Sequence, residues 1–159
     1  FGAEEQGIRG SRAFVAHPPF PLDKISFMIN MDMLGRNFFE LEYGDAMKEG
    51  LGAIVHLPTD SLQKLVFEMA PKHGLSILML QDSFLQRFGK GFFYDSKPFN
   101  AKGIPTLFFS TSLHKDYHRP SDTVEKIRFD KLTRTGAFIL AILEKSAIGE
   151  RDMNTGGRQ

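Results

Sequence analysis

The stretch Ile25-Ser26-Phe27-Met28-Ile29-Asn30-Met31-Asp32-Met33-Leu34 decides the fold. It is apolar almost throughout and lacks the alternation of a strand with one wet face. Such a run reads as a central strand of a sheet covered on both sides. A buried Asp near the carboxyl end of that strand needs a partner, because unpaired buried charge is costly. In open α/β sheets the same end is where ligands bind. Asp32 is therefore a candidate ligand-holding residue; the alternative is a structural carboxylate bonded to nearby backbone.

Working outward, Leu75–Leu80 is a short apolar strand, and Pro105–Ser110 is strongly β-prone with its proline tolerated at the strand start. Asp60–Lys72 carries Leu62, Leu65, Val66 and Met69 at helical spacing, with Thr59 or Asp60 as its cap and Gly74 suited to a left-handed end. Asp130–Lys145 is a second helix, capped by Asp130 and carrying Leu132, Phe138, Ile139, Ile142 and Leu143. Ser11 is read as the cap of a short helix from Arg12 to Ala16, which the prolines after His17 stop. Phe38–Tyr43 reads as an extended segment with Glu40 and Glu42 on a solvated face. Gly44, Gly50 and Gly52 read as breaks that divide the next stretch into loops. Buried strands with amphipathic helices packed on them give an α/β domain over 1–148, followed by a polar, frayed tail at 149–159.

The 159 residues suffice for one domain with a real core, and 42% hydrophobic with 25% charged residues is ordinary for a globular chain. A net charge of +1 leaves no electrostatic footprint for nucleic acid or a polybasic membrane anchor. No apolar run approaches the ~20 residues of a membrane helix. The chain has no cysteine, so disulfides and thiolate chemistry are excluded. Any metal must sit on His, Asp and Glu, which suits zinc in a hydrolytic site.

Glu4 and Glu5 follow a short apolar stub and precede a Gly-rich bend. Adjacent side chains at a strand end point in different directions. One carboxylate can hold a cation while the other faces a nucleophilic water, the combination that metal-assisted hydrolysis uses. A bare Glu-Glu pair is otherwise ordinary solvated surface. His114 and His118 have the four-residue spacing of a helical metal pair, but Lys115-Asp116-Tyr117 and Pro120 argue for a loop after a strand. His17, beside the prolines, reads as surface. Asp122 either orients this loop or caps the turn before Thr123.

Three motifs in order, Phe1-Gly2-Ala3-Glu4-Glu5 with Gly10-Ser11, Asn30-Met31-Asp32-Met33-Leu34-Gly35-Arg36, and Asp116-Tyr117-His118-Arg119-Pro120-Ser121-Asp122-Thr123, resemble the M28 family of zinc peptidases. The similarity runs from Phe1 to about the end of the last helix. It implies a three-layer sandwich of zinc-exopeptidase type, with a largely parallel or mixed central sheet flanked by helices and its N-terminal part missing. It implies Glu4 as general base, Glu5 and His118 as ligands of one zinc, Asp32 as ligand of the other, and His114 as a surface residue without a counterpart. In the family a Ser-Asp-His precedes an x-Pro-Phe; here Asp95, Pro98 and Phe99 match, while Tyr94 and Ser96 replace the flanking residues. The aromatics of Gly89–Asn100 either line an apolar pocket or pack under the loop.

The family also uses an upstream His and an upstream bridging Asp, which precede the Glu-Glu pair. The chain begins without Met at what reads as a strand end, so it is expected to be the carboxyl-terminal part of a catalytic domain. The parent is expected to be a dizinc aminopeptidase acting on peptide substrates. The fragment is expected to be inactive, to bind zinc weakly or not at all, and to expose a sheet edge open to homodimerisation. Export is expected from the resemblance alone. A single-zinc glutaminyl-cyclase-like acyltransferase and a catalytically inactive peptidase-like binding domain are the other readings.

Overall fold

A computed structural model of the chain describes residues 1–57, 60–80 and 94–155, with backbone only for 60 and 148–155. The elements in order are α1 (Arg9–Ala16), β1 (Met28–Met31), α2 (Glu40–Tyr43), β2 (Gly50–His56), α3 (Asp60–Met69), β3 (Ser76–Leu80), α4 (Lys97–Asn100), β4 (Thr106–Ser110) and α5 (Phe129–Thr155). Four strands form one mixed sheet in the order β1-β4-β2-β3. β1 runs parallel to β4, β3 parallel to β2, and β2 antiparallel to β4. Helices α3 and α5 cover one face, where Leu51, Ala53, Leu107 and Phe109 meet Val66, Met69, Phe138 and Ile142. On the other face Tyr94 packs on Ile54 and Phe108, and α1 and α4 bring Val15 and Phe99 together beside Met28. This is the expected α/β architecture of a mixed sheet between helical layers.

β1, β3 and β4 fall inside the three expected strand segments, but their places differ. Among the described residues β1 has β4 as its one neighbour, and Met31 is 55% exposed. The interior strands of the described sheet are β4, buried on both faces from Thr106 to Phe109, and β2. The apolar run of β1 thus lies at the rim of the described sheet and is only partly buried.

β2 overturns the reading of Gly50 and Gly52 as loop formers. The buried Phe38 ring lies against this strand, so a Cβ on Gly50 would come within 2.7 Å of Phe38 Cδ1. One on Gly52 would stand 2.9 Å from Phe38 Cε2 and 3.2 Å from the Ser110 carbonyl. Glycine is required in a strand where another group approaches this closely. Phe38–Tyr43 is correspondingly not extended: Phe39 turns into the left-handed region (φ 48°) and residues 40–43 form α2. Ser11 does not cap a helix either. α1 begins at Arg9, and the buried Ser11 hydroxyl donates to the Ile8 carbonyl at 3.1 Å.

Gly74 ends the turn after α3 at φ 66°, as its sequence position implies. The proposed cap Thr59 and the aromatics Phe92 and Phe93 lie outside the described residues. α5 starts at Phe129, so Asp130 sits in its first turn rather than capping it, and the helix continues through Thr155 into the segment read as a tail. None of the described helices is long and apolar enough to cross a membrane.

Lys131 joins the layers. Its side chain is fully buried and its ammonium donates to the carbonyls of Gly50 (2.7 Å) and Arg36 (3.1 Å). Burial, with Arg128 nearby, pushes its pKa down to about 8. Below that value both folded and unfolded chains carry the proton and the slope is zero. Between about 8 and the unfolded value of 10.5 the unfolded chain binds more protons, so stability rises with pH. The gain expected across that window is on the order of 2–3 kcal/mol. Urea unfolding at pH 7.5, 9 and 10 should show the rise in the wild-type chain and a flattened profile in Lys131→Met. Equal slopes in both proteins would remove Lys131 as the cause.

Candidate active site and metal centre

The carboxyl ends of β1 and β4 lie at the same edge of the sheet because the two strands are parallel neighbours. Asp32 follows β1 directly, and its N–H donates to the Phe109 carbonyl at 3.2 Å, extending the pairing by one residue. The chain then turns sharply: Met33 has φ 56°, and its carbonyl accepts from the N–H (3.0 Å) and hydroxyl of Thr111. The loop after β4 carries His118, itself left-handed at φ 55°.

Glu4 and Glu5 reach the same place from the turn before α1. The carbonyls of Gly2, Ala3 and Glu4 accept from the N–H groups of Gly10 (2.9 Å), Arg9 (3.1 Å) and Ile8 (2.7 Å). Backbone thus occupies the amide donors that open a helix, which is why α1 has no side-chain cap. A Cβ on Gly10 would fall 2.4 Å from the Gly2 carbonyl oxygen, so the closure requires glycine there. Ala3 (φ 55°) and Ile8 (φ 53°) bracket the acidic pair in the left-handed region. Non-glycine residues rarely adopt it, and such strain gathers at functional sites. Four of these strained residues, Ala3, Ile8, Met33 and His118, carry or adjoin Glu4, Glu5, Asp32 and His118.

All four sequence-predicted residues line one open cavity of about 580 Å³, together with Met33, Arg36, His114, Tyr117, Asp122, Val124 and Ile127. Glu5 Oε1 and His118 Nε2 stand 2.9 Å apart, both on exposed side chains. The Tyr117 ring stacks on His118, with centroids 3.9 Å apart. Burial, then the neighbouring Glu5, Asp32 and Asp95, raises the Glu4 carboxyl above its ordinary value. Asp32 opens to the cavity, yet the protein around it raises its carboxyl too, with Glu5 and Asp95 adding to the effect and the Met33 backbone opposing it. The Tyr117 hydroxyl is raised by burial and by Glu5, Asp32 and Glu4.

The wall therefore concentrates negative charge, and Arg36, the one guanidinium lining it among the described residues, is engaged by Glu40, Asp116 and Asp122. Carboxylate and imidazole donors facing surplus negative charge suit a divalent cation such as zinc. As a coordination set they are partial. Among the described residues no three His, Asp or Glu side chains stand close enough together to hold an ion.

His114 is not a surface residue. It is 6% exposed, its Nδ1 is buried without a hydrogen bond, and its Nε2 lies 3.7 Å from Asp122 Oδ2. Burial and the nearby Arg36 lower its pKa, keeping the ring neutral. Asp122 accepts from Arg36 Nη1 at 3.1 Å, so it ties the loop down rather than capping a turn. Glu40 is likewise drawn in by Arg36 and is only partly exposed. Tyr94 and Phe99 are buried, so these two aromatics pack under their segment, which includes α4, rather than lining a pocket. Of the residues around the cavity, Arg36 and Tyr117 stood inside quoted motifs without a role. Nothing local to either marks it.

Residues 1–143 match the model of peptidase family M28, and the chain belongs to that family. Among solved structures it is similar to the LapA aminopeptidase of Legionella pneumophila, with a TM-score of 0.68 and 18% identity over 89% of this chain and 36% of that one. It is also similar to an aminopeptidase from Aneurinibacillus sp. strain AM-1, with a TM-score of 0.60 and 26% identity over 89% of this chain and 31% of that one. The chain thus spans about a third of the length of either aminopeptidase. A comparison with curated proteins gave no match.

Proposed function

We propose that this chain forms part of the active site of a zinc-dependent aminopeptidase, which removes amino-terminal residues from peptides. The observation that carries the reading is the meeting of Glu5 and His118, 113 residues apart in sequence, at 2.9 Å in a cavity that Glu4 and Asp32 also line. Membership of a peptidase family and likeness to two aminopeptidases support it. Glu5 and His118 would hold one zinc and Asp32 would contribute to a second. Bound zinc polarises a carbonyl and makes water a nucleophile near neutral pH. Glu4 takes the proton of the attacking water. The apolar side chains of Met33, Val124 and Ile127 form the less polar part of the cavity lining.

Two donors to one zinc and a single donor to the other make weak metal sites. A complete four-ligand zinc site is worth roughly 10–16 kcal/mol, so each absent ligand costs a crude ~3 kcal/mol, or about a hundredfold in affinity. Calorimetry with zinc on the 159-residue chain should show weak binding that His118→Ala abolishes, and a chromogenic amino-acid amide should not be turned over by the chain alone. Identical titrations of the wild-type and His118→Ala chains would remove His118 as a ligand. Submicromolar binding of two zinc ions, or clear turnover, would show that these residues already make a complete site.

A further inference from the structure

Arg36 has no part in the proposed chemistry, yet it is 7% exposed and its guanidinium reaches three carboxylates, Glu40 four residues on and Asp116 and Asp122 in the loop after β4. Nε and Nη2 donate to the two oxygens of Glu40 at 3.1 and 2.8 Å. Nη2 also donates to Asp116 Oδ2 at 3.0 Å, and Nη1 to Asp122 Oδ1 at 3.1 Å. Asp116 and Asp122 flank His118 on either side in the loop after β4. Lys126 adds a 2.7 Å bond to the other oxygen of Asp116, and His114 lies against the other oxygen of Asp122. Arg36 itself sits four residues after Asp32, on the segment that leaves β1.

We infer that Arg36 is a positioning residue: its guanidinium clamps both flanks of the His118 loop to the Asp32 segment and so sets where the imidazole stands. This rests on reading His118 as a metal ligand, but the placement itself is independent of metal. A planar fork can hold two carboxylates in fixed directions at once, which the single ammonium of lysine cannot. His118 occupies a left-handed backbone conformation that an untethered loop would tend to leave. Anchors on both sides hold it there.

The test is nuclear magnetic resonance on the metal-free chain. Wild type should show cross-peaks between the His118 ring protons and the Glu5 side chain. Arg36→Ala should lose them while keeping the Phe109–Phe138 cross-peaks of the core, and added guanidinium ion below denaturing concentration should restore them. Arg36→Lys, which keeps the charge without the fork, should weaken them. The residual zinc affinity should fall about tenfold to a hundredfold in Arg36→Ala, as it does when groups that orient metal ligands are removed.

Retention of the His118–Glu5 cross-peaks in a folded Arg36→Ala chain, or their absence from wild type, would overturn the inference. If Arg36→Ala also loses the core cross-peaks, Asp122→Ala decides, because it removes the acceptor of Arg36 Nη1, releases one flank of the loop and leaves the guanidinium in place. Loss of the His118–Glu5 cross-peaks there supports the clamp, and retention overturns it. Wild-type cross-peaks together with zinc binding that His118→Ala leaves unchanged would leave the clamp standing and remove His118 as a ligand instead.

Discussion

Glu4→Gln is expected to lower peptide hydrolysis by about 10²–10⁴-fold, the usual cost of losing a general base. The amide is nearly the same size as the carboxylate and accepts hydrogen bonds, but it cannot take a proton from the attacking water. The loss should fall on kcat rather than on substrate binding. Zinc should be retained, because Glu5 and not Glu4 is the carboxylate that meets His118. The measurement is steady-state hydrolysis of an amino-acid amide, alongside metal analysis, in a form of the enzyme that turns over. Near-normal rates in Glu4→Gln would take Glu4 out of the mechanism.

The largest stability effect is expected at Phe138. This ring is fully buried in α5 and meets Phe109 of β4 edge-to-face, with centroids 5.4 Å apart. It is a direct contact between the longest described helix and the interior strand β4. Phe138→Ala removes a buried aromatic and leaves a cavity, at a cost of about 3–5 kcal/mol. That is a large fraction of the stability of a domain of this size. Denaturant unfolding should show the midpoint falling with little change in slope. A loss below about 1 kcal/mol would mean that the helix and sheet repack around the vacancy.

Much of the fold is legible from local pattern. The apolar run of β4 and the helical stripe of α3 bury what their spacing implies, whereas β1 and β3 lie at the rims of the described sheet and are only partly buried. β2 escapes such reading because two of its seven residues are glycine. The reason they are glycine is the Phe38 ring, a tertiary contact that no local window displays. The gathering of Glu4, Glu5, Asp32 and His118 was expected from three short motifs. Their convergence depends on parallel pairing of β1 with β4, which brings two strand ends to one edge. Arg36 was hidden for the same kind of reason. Its partners lie 4, 80 and 86 positions away, so only the folded chain shows them together. The burial of His114 likewise follows from the loop folding over it, which a lone histidine after a strand does not announce.

The sheet order also governs how this chain can fold. Met28 pairs with Thr106, Ile54 with Phe108, and Gly50 with Ser76, so none of the described strand pairs is a tight hairpin. Closing such long loops costs entropy before any contact repays it, which places the chain among slower-folding domains. β1 emerges from the ribosome well before β4, its one described neighbour, and the Glu4–Glu5 turn earlier still. Until residues 106–118 are made, the acidic turn has no imidazole to meet and β1 has no β4 to pair with. The cavity is therefore assembled only after residues 106–118 have been made, by the same docking of β4 that completes the described sheet.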